Sequence, residues 1–251
     1  MSKEFKIAQE FEVQASPGEV WAAITTGTAG WLWPVEYEPR EGGAAPFGGT
    51  VTAWDPPRHL TARVENVAEI DTQTLNELDH IIEPREGGGS WVRYTHSGIF
   101  VDDWENQYDG ANQHTTFYLH TLRQYLTHFT GRPAVFVSAD APAASAQPGS
   151  FPAVARALGL TDDTADSTAD GTAVRVELPG SDGPQDAVLD YRDAHFIGLR
   201  TRDVMYRFFG RDAFGAPVGI GVHDFRPQAA GVDHKKWQRD WEEWLTGVYA
   251  A

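Results

Sequence analysis

The strongest periodicity in the chain runs from Asp102 to Phe129. Apolar and small residues at Trp104, Tyr108, Ala111, Thr115, Tyr118, Leu122, Tyr125 and Phe129 alternate four and three apart, lining one face of a helix for about seven turns. An aromatic side chain buries roughly 150 to 250 Å², so at about 25 cal/mol per Å² the four largest residues of that face are worth on the order of 15 kcal/mol. The face is therefore expected against a protein partner and not in water. Asp102 is placed to act as N-cap, with Glu105 completing a capping box, and Gly131 lies just past the end. Gly110 costs about 1 kcal/mol relative to Ala inside a helix and marks a kink or a close approach by something bulky.

The pattern before this helix is mostly that of strands. Residues 5 to 13 alternate, with Phe5, Ile7, Phe11 and Val13 on one face. A short helix follows, with Ser16 as N-cap, Pro17 at its first position and Glu19 completing a capping box ahead of Val20, Trp21 and Ile24. Two glycines then break the pattern, and Trp31 and Trp33 arrive before Pro34, the composition of a second short helix or an aromatic corner. Strands are predicted over 49–54, 59–66, 73–82 and 90–98, joined by short turns, so the sheet should be antiparallel. In the last of them Val92, Tyr94 and His96 share one face, and Trp91, Arg93 and Thr95 the other. Tyr94 and His96 are assigned to the concave side that meets the long helix.

After Gly131 the chain begins again. A strand over 132–139, a Pro- and Ala-rich loop and a short helix over 151–160 lead into an acidic, structureless connector, 161–170. Strands are predicted at 172–178, 186–191, 194–200, 203–209 and 217–225, and Asp233 opens a last helix in which Trp237, Trp241, Trp244 and Val248 repeat the four, three, four spacing. Both halves thus run strand, helix, several strands, long helix, and the helix ends match loosely, LRQYLT against WEEWLT. The order reads as a degenerate internal duplication, with domains at 1–131 and 132–251 and the second copy reduced.

Composition narrows the function classes. Twenty Lys and Arg against 36 Asp and Glu give a net charge of −16, which repels phosphate backbones and anionic membrane surfaces, so neither nucleic acid nor membrane is an expected partner. The absence of Cys removes disulfides, thiolate nucleophiles and Cys-ligated metals. The first residues, MSKEFKIAQEF, have no apolar signal core and no run reaches membrane-spanning length, so a soluble cytoplasmic protein is expected.

The first half resembles the SRPBCC superfamily, the helix-grip fold of START domains, and more narrowly bacterial homologues of the heat-shock-protein ATPase activator. The resemblance rests on the opening strand, on ASPGEVWAAIT (Ala15 to Thr25), on GGTVTAWDPPRHLTARVE (Gly48 to Glu65), on GGGSWVRYTHSGIF (Gly87 to Phe100), and on the helix ending YLHTLRQYL. It implies an α+β fold in which a curved antiparallel sheet wraps a long C-terminal helix, with a cavity between them. The second half is similar only in element order and lacks the long segment carrying Trp31 and Trp33, which argues against a full second cavity. The residues expected to line the first cavity are Trp31, Trp33, Trp54, Leu78, His80, Tyr94, His96, Trp104, Tyr108 and Tyr118. Aromatic walls with few polar tips suit a flat or lipid-like ligand.

Other chemistry finds little support. His114, His120 and His128 are six and eight apart, so no pair has the helical spacing of a zinc site, and neither metal nor cofactor is called for. HExxH, GxSxG, Walker A and GxGxxG motifs are all absent. His96 beside Tyr94 is the one place where acid–base work is conceivable, but no carboxylate is evident to orient it. The basic cluster His234, Lys235, Lys236 and Arg239 opens the last helix and is expected to pair with acidic residues such as those of 161–170. A carrier or sensor of a small apolar molecule is the first expectation. The alternatives are a cyclase- or hydrolase-type enzyme using the same cavity and a co-chaperone-like domain that stimulates a heat-shock ATPase.

Overall fold

The computed structural model describes residues 2–66, 72–160, 171–179 and 183–250. The acidic stretch 161–170 lies outside them. The chain divides into two compact units, Met1–Arg132 and Pro133–Ala251.

In the first unit β1 (Lys3–Val13) is followed by α1 (Pro17–Thr25), then by β2 (Ala44–Ala45), β3 (Gly49–Asp55), β4 (His59–Glu65), β5 (Gln73–Pro84) and β6 (Ser90–Phe100), and the unit ends in α2 (Trp104–His128). The sheet order is β1-β6-β5-β4-β3-β2, antiparallel throughout. The start of α1 follows its sequence signal: Ser16 Oγ accepts from Glu19 N and Glu19 returns a bond to Ser16 N at 2.7 Å. The start of α2 does not. Its N-cap is Asp103, in a left-handed conformation (φ 44°), and makes no side-chain cap bond. Asp102 instead accepts from Asp103 N at 2.9 Å, so the expected capping box with Glu105 does not form. The segment with Trp31 and Trp33 contains a single 3-10 turn, Thr28–Gly30, and is otherwise irregular.

The second unit contains β7 (Val135–Asp140), α3 (Pro152–Ala157), β8 (Thr172–Val176), β9 (Gln185–Arg192), β10 (Phe196–Arg200), β11 (Val204–Phe209), β12 (Gly219–Asp224) and α4 (His234–Val248). Its sheet order, β7-β12-β11-β10-β9-β8, is that of the first unit moved on by six strands. The fold is thus α+β, two helix-grip arrangements in tandem. Reduction of the second copy lies in the closing helix, 15 residues against 25, and not in the strand count. Asp233 caps α4 through a bond from Lys236 N at 3.0 Å, and Lys236 Nζ pairs with Asp240 at 2.7 Å, which satisfies part of the basic cluster within the helix itself.

Candidate functional site

The register of three adjacent strands sets out the floor of a cavity in the first unit. On one face of the sheet the cross-strand partners are Leu60, His80 and Tyr94 in one row, Ala62, Leu78 and His96 in the next, and Val64, Asn76 and Gly98 in the third. Gly98 is required here, because a Cβ at this position would lie 2.1 Å from Leu75 O and 2.9 Å from the Phe5 ring. α2 lies over this face, tied down by a bond from Gln9 Nε2 to Thr116 Oγ1 at 2.7 Å and by another from Trp104 Nε1 to Glu4 O at 3.2 Å.

Between floor and helix is a cavity of about 320 Å³. β4, β5 and β6 contribute Ala62, Val64, Asn76, Leu78, His80, Tyr94 and His96, and α2 contributes Ala111, His114, Thr115, Tyr118 and Leu119. The stretch from the end of α1 to the start of β3 closes the side with Ile24, Thr28, Trp31, Leu32, Trp33, Val35, Tyr37, Pro46 and Phe47. Trp31 is buried and fixed by donating from Nε1 to Ala23 O at 2.9 Å. Trp33 and Phe47 form the rim. Among the described residues they are the large apolar side chains most open to solvent, 37% and 61% exposed, with their rings edge-on at 6.3 Å and Trp33 edge-on to Tyr118 at 5.6 Å. Phe47 is held at φ 59°, a conformation that costs a non-glycine residue of order 1–3 kcal/mol.

Of the residues named from the sequence, Trp31, Trp33, Leu78, His80, Tyr94, His96 and Tyr118 line this cavity. Trp54 does not; it packs edge-on to Trp21 at 5.0 Å and beside Tyr37 at 6.5 Å, at the end of the sheet near α1. Trp104 and Tyr108 stack on each other at 4.8 Å and join a separate cluster with Phe5, Ile7 and Phe100, with the Lys3 ammonium 3.4 Å from the Trp104 ring centre. Gly110 is not among the lining residues; its carbonyl oxygen is bonded by His114 Nδ1 at 2.8 Å. Asn76, and Ala111 and Thr115, were within reach of sequence reasoning, since Asn76 shares strand alternation with His80 and the other two share helical spacing with Tyr118; Ala62 and Val64 alternate with Leu60 on β4, and only the register sets them beside Leu78 and Asn76. Tyr37 lies in irregular chain and Pro46 and Phe47 in a 3-10 turn, Pro46–Gly48, and none of them carries such a signal.

Burial dominates the electrostatics of the chamber's His80, His96, Tyr37 and Tyr94. Burial holds His80 down from its ordinary value to about 4, against a smaller opposing effect of Asp79, and burial alone takes His96 to about 4. Tyr37 is pushed up to about 12 by burial, and Tyr94 is raised by burial and by the neighbouring Tyr37 and Tyr118 phenols. Both imidazoles are neutral and both phenols protonated at pH 7. His96 Nε2 is bonded to Asn76 Oδ1 at 2.7 Å, so an amide stands where acid–base catalysis needs a carboxylate.

His80 gives this chamber a pH signature. Above about pH 6.5 the imidazole is neutral in folded and unfolded chains alike and adds no pH dependence. Below that, the unfolded chain takes up a proton that the folded chain refuses until about pH 4, so stability falls, by about 2 kcal/mol at pH 5. Denaturant titrations at pH 7 and pH 5 are expected to show His80→Phe losing about that much less than the parent protein; equal losses would mean the folded imidazole protonates normally.

In the second unit large aromatic rings pack between sheet and helix among the described residues. Trp241, fully buried, meets Tyr206, Phe208 and Trp244 at ring distances of 5.7, 6.1 and 5.7 Å, inside a core that also holds Trp237 and Leu245. Beside this packing is a polar cleft of about 370 Å³, lined by Tyr206 of β11 and Trp237 of α4 together with charges of both signs, with Arg226 held by Asp224 at 2.7 Å.

No family model matches the sequence, and no curated protein matches it. Among solved structures the chain is similar to protein MLL2253 from Mesorhizobium loti, at 21% identity over 49% of this chain and 96% of that one, with a TM-score of 0.41. It is similar to CalU16 from Micromonospora echinospora at 21% identity over 50% and 76%, TM-score 0.38. The Aha1 dimer from Colwellia psychrerythraea is 20% identical over 49% and 96%, TM-score 0.40. No helix among the described residues is long and apolar enough to cross a membrane.

Proposed function

We propose that the chain is a tandem member of the SRPBCC superfamily whose first domain, residues 1–131, holds a small apolar ligand as carrier or sensor, residues 132–251 forming a second domain without such a chamber. The observation that carries this reading is the aromatic-walled cavity of about 320 Å³ between the sheet and long helix of the first unit, lined by no Lys, Arg, Asp or Glu among the described residues, whereas the cleft of the second unit is lined by charges. Small-molecule sites run from about 300 Å³ upward and are mostly apolar with a few placed polar groups. Holding is favoured over transforming because His80 and His96 are weak bases in this setting, and neither has a carboxylate against its ring nitrogens to make it stronger.

Trp31 and Trp33 both line the chamber, so titrating a panel of fatty acids, flavonoids and polyketide-like aromatics into the full chain is expected to quench their fluorescence for at least one member. Tyr118→Ala should weaken that member roughly tenfold or more, the loss expected when an aromatic contact of 1.4 kcal/mol or above is removed. His96→Ala should stay within about tenfold of the parent. Native mass spectrometry of freshly purified protein should show a retained small molecule. A panel without effect on emission or melting, together with saturable binding to a heat-shock ATPase and stimulated hydrolysis, would instead make the protein an interaction domain.

A further inference from the structure

The lining of the chamber restricts the chemistry of what enters it. Among the described residues that line it there is no Lys, Arg, Asp or Glu. A carboxylate, phosphate or ammonium group would therefore be buried without a counter-charge, which is far more costly than burying a neutral polar group. What the walls offer instead is neutral hydrogen bonding. Tyr94 on β6 is partly buried, lines the chamber, and its hydroxyl makes no hydrogen bond to a described residue. That hydroxyl keeps open surface, whereas the ring nitrogens of His80, whose ring centre is 4.9 Å from that of Tyr94, are sealed. Tyr37, also in the lining, is likewise partly buried, with its hydroxyl open and unbonded among the described residues. Burial raises both phenols, so each holds a proton to donate at neutral pH. On β5 the Asn76 oxygen is taken by His96 Nε2 at 2.7 Å, which leaves its amide nitrogen as a donor.

Resting on the apolar-ligand reading above, we propose that the occupant is an uncharged flat molecule bearing a carbonyl, as an aromatic ketone, quinone or ester does, and that the Tyr94 hydroxyl donates to the carbonyl oxygen. A carbonyl answers such a wall best because it accepts through two lone pairs and has no proton of its own to place. Tyr37 marks the same end of the chamber, since its phenol stands near enough to that of Tyr94 to act on it electrostatically. A Tyr94 hydroxyl and a ligand carbonyl brought into an apolar setting without each other would both lose their hydrogen bonds to water, which is unfavourable. The reading separates members of any apolar panel that share a size: neutral carbonyl compounds are retained and fatty or aromatic carboxylates are rejected.

Four probes on one ring system test it at pH 7.5: 2-acetonaphthone, 2-ethylnaphthalene, 1-(2-naphthyl)ethanol and 2-naphthoate, each titrated calorimetrically with the full-length protein and with Tyr94→Phe, which removes one oxygen and keeps the ring. In the parent, 2-naphthoate is expected to bind about 100-fold or more weaker than 2-acetonaphthone. Tyr94→Phe should weaken 2-acetonaphthone about tenfold and leave 2-ethylnaphthalene within about threefold. Equal changes for these two, or 2-naphthoate binding as well as the ketone, overturns the carbonyl assignment and leaves the apolar chamber standing. The alcohol binding tighter than the ketone in the parent overturns it too, in favour of a hydroxyl. Failure of all four to bind overturns the apolar-ligand reading itself. Where the substituted chain does not fold, the carbonyl stretch of 2-acetonaphthone bound to the parent decides: a frequency below that in an alkane solvent is the expected result, and an unshifted one overturns the hydrogen bond.

Discussion

With Phe in place of Ala111, binding of the tightest member of the ligand panel is expected to fall at least 100-fold, while thermal stability holds or rises. Ala111 sits on α2 over the sheet floor and lines the chamber. A benzyl group projected from that position occupies part of a space of about 320 Å³. A ligand that loses its volume loses the contacts that pay for its own ordering, and two powers of ten correspond to only about 2.8 kcal/mol. Filling a void commonly adds about 0.5–2 kcal/mol to stability, against a helix-propensity cost for Phe of about half a kcal/mol. Opposite signs for affinity and stability distinguish blocking from general damage. Parent-like affinity in Ala111→Phe would show that the ligand does not use this chamber.

Removing the Asp190 carboxylate by Asp190→Ala is expected to cost about 3–5 kcal/mol of unfolding free energy. Asp190 on β9 faces Arg207 on β11 across β10: Arg207 Nη1 donates to Oδ1 at 2.6 Å and Nη2 to Oδ2 at 3.2 Å, with both side chains 1% exposed. Arg200 Nε stands 3.9 Å from the same carboxylate. The strand between them has Gly198 at this point, where a Cβ would lie 2.4 Å from both Arg207 Nη1 and Asp190 Oδ1; only a glycine lets the pair close over it. Desolvation consumes much of the attraction in such a pair, but deleting the carboxylate removes that attraction while the buried guanidinium keeps its desolvation cost. Urea unfolding of the full chain should therefore show a large loss for Asp190→Ala, and a smaller one when Arg207→Met is added. A single substitution that costs under 1 kcal/mol would mean that water or another group reaches Arg207.

Much of the fold was legible because its elements announce themselves locally. Ser16, Pro17 and Glu19 specify the start of α1 with atoms only three residues apart, and the alternation in β6 assigns Tyr94 and His96 to one face whatever lies beyond it. The site was harder because periodicity gives a face and not a position along it. The stripe on α2 includes Trp104 and Tyr108 as well as Tyr118, but the chamber spans only the part from Ala111 to Leu119, and the first turns pack on Phe5, Ile7 and Phe100 instead. Trp54 is a related case. It pairs with Leu60 on the inner face, where a register shift between Val51 and Ala53 also keeps Val51, yet it falls at the end near α1.

What the sequence determined by itself is the order and type of the elements, the face each strand and helix buries, and the absence of thiol chemistry, since all of these follow from spacing or composition. What only the tertiary structure decided is where space remains. Both units have the same strand order and a closing helix with an aromatic stripe, yet Ala62, Ala111 and Thr115 in the first line an apolar-walled chamber, while in the second Trp241 packs on Phe208 and Tyr206 and the cleft beside them is lined by charges. A cavity is a deficit of side-chain volume summed over elements distant in sequence. That sum has no value until register and packing bring those elements together.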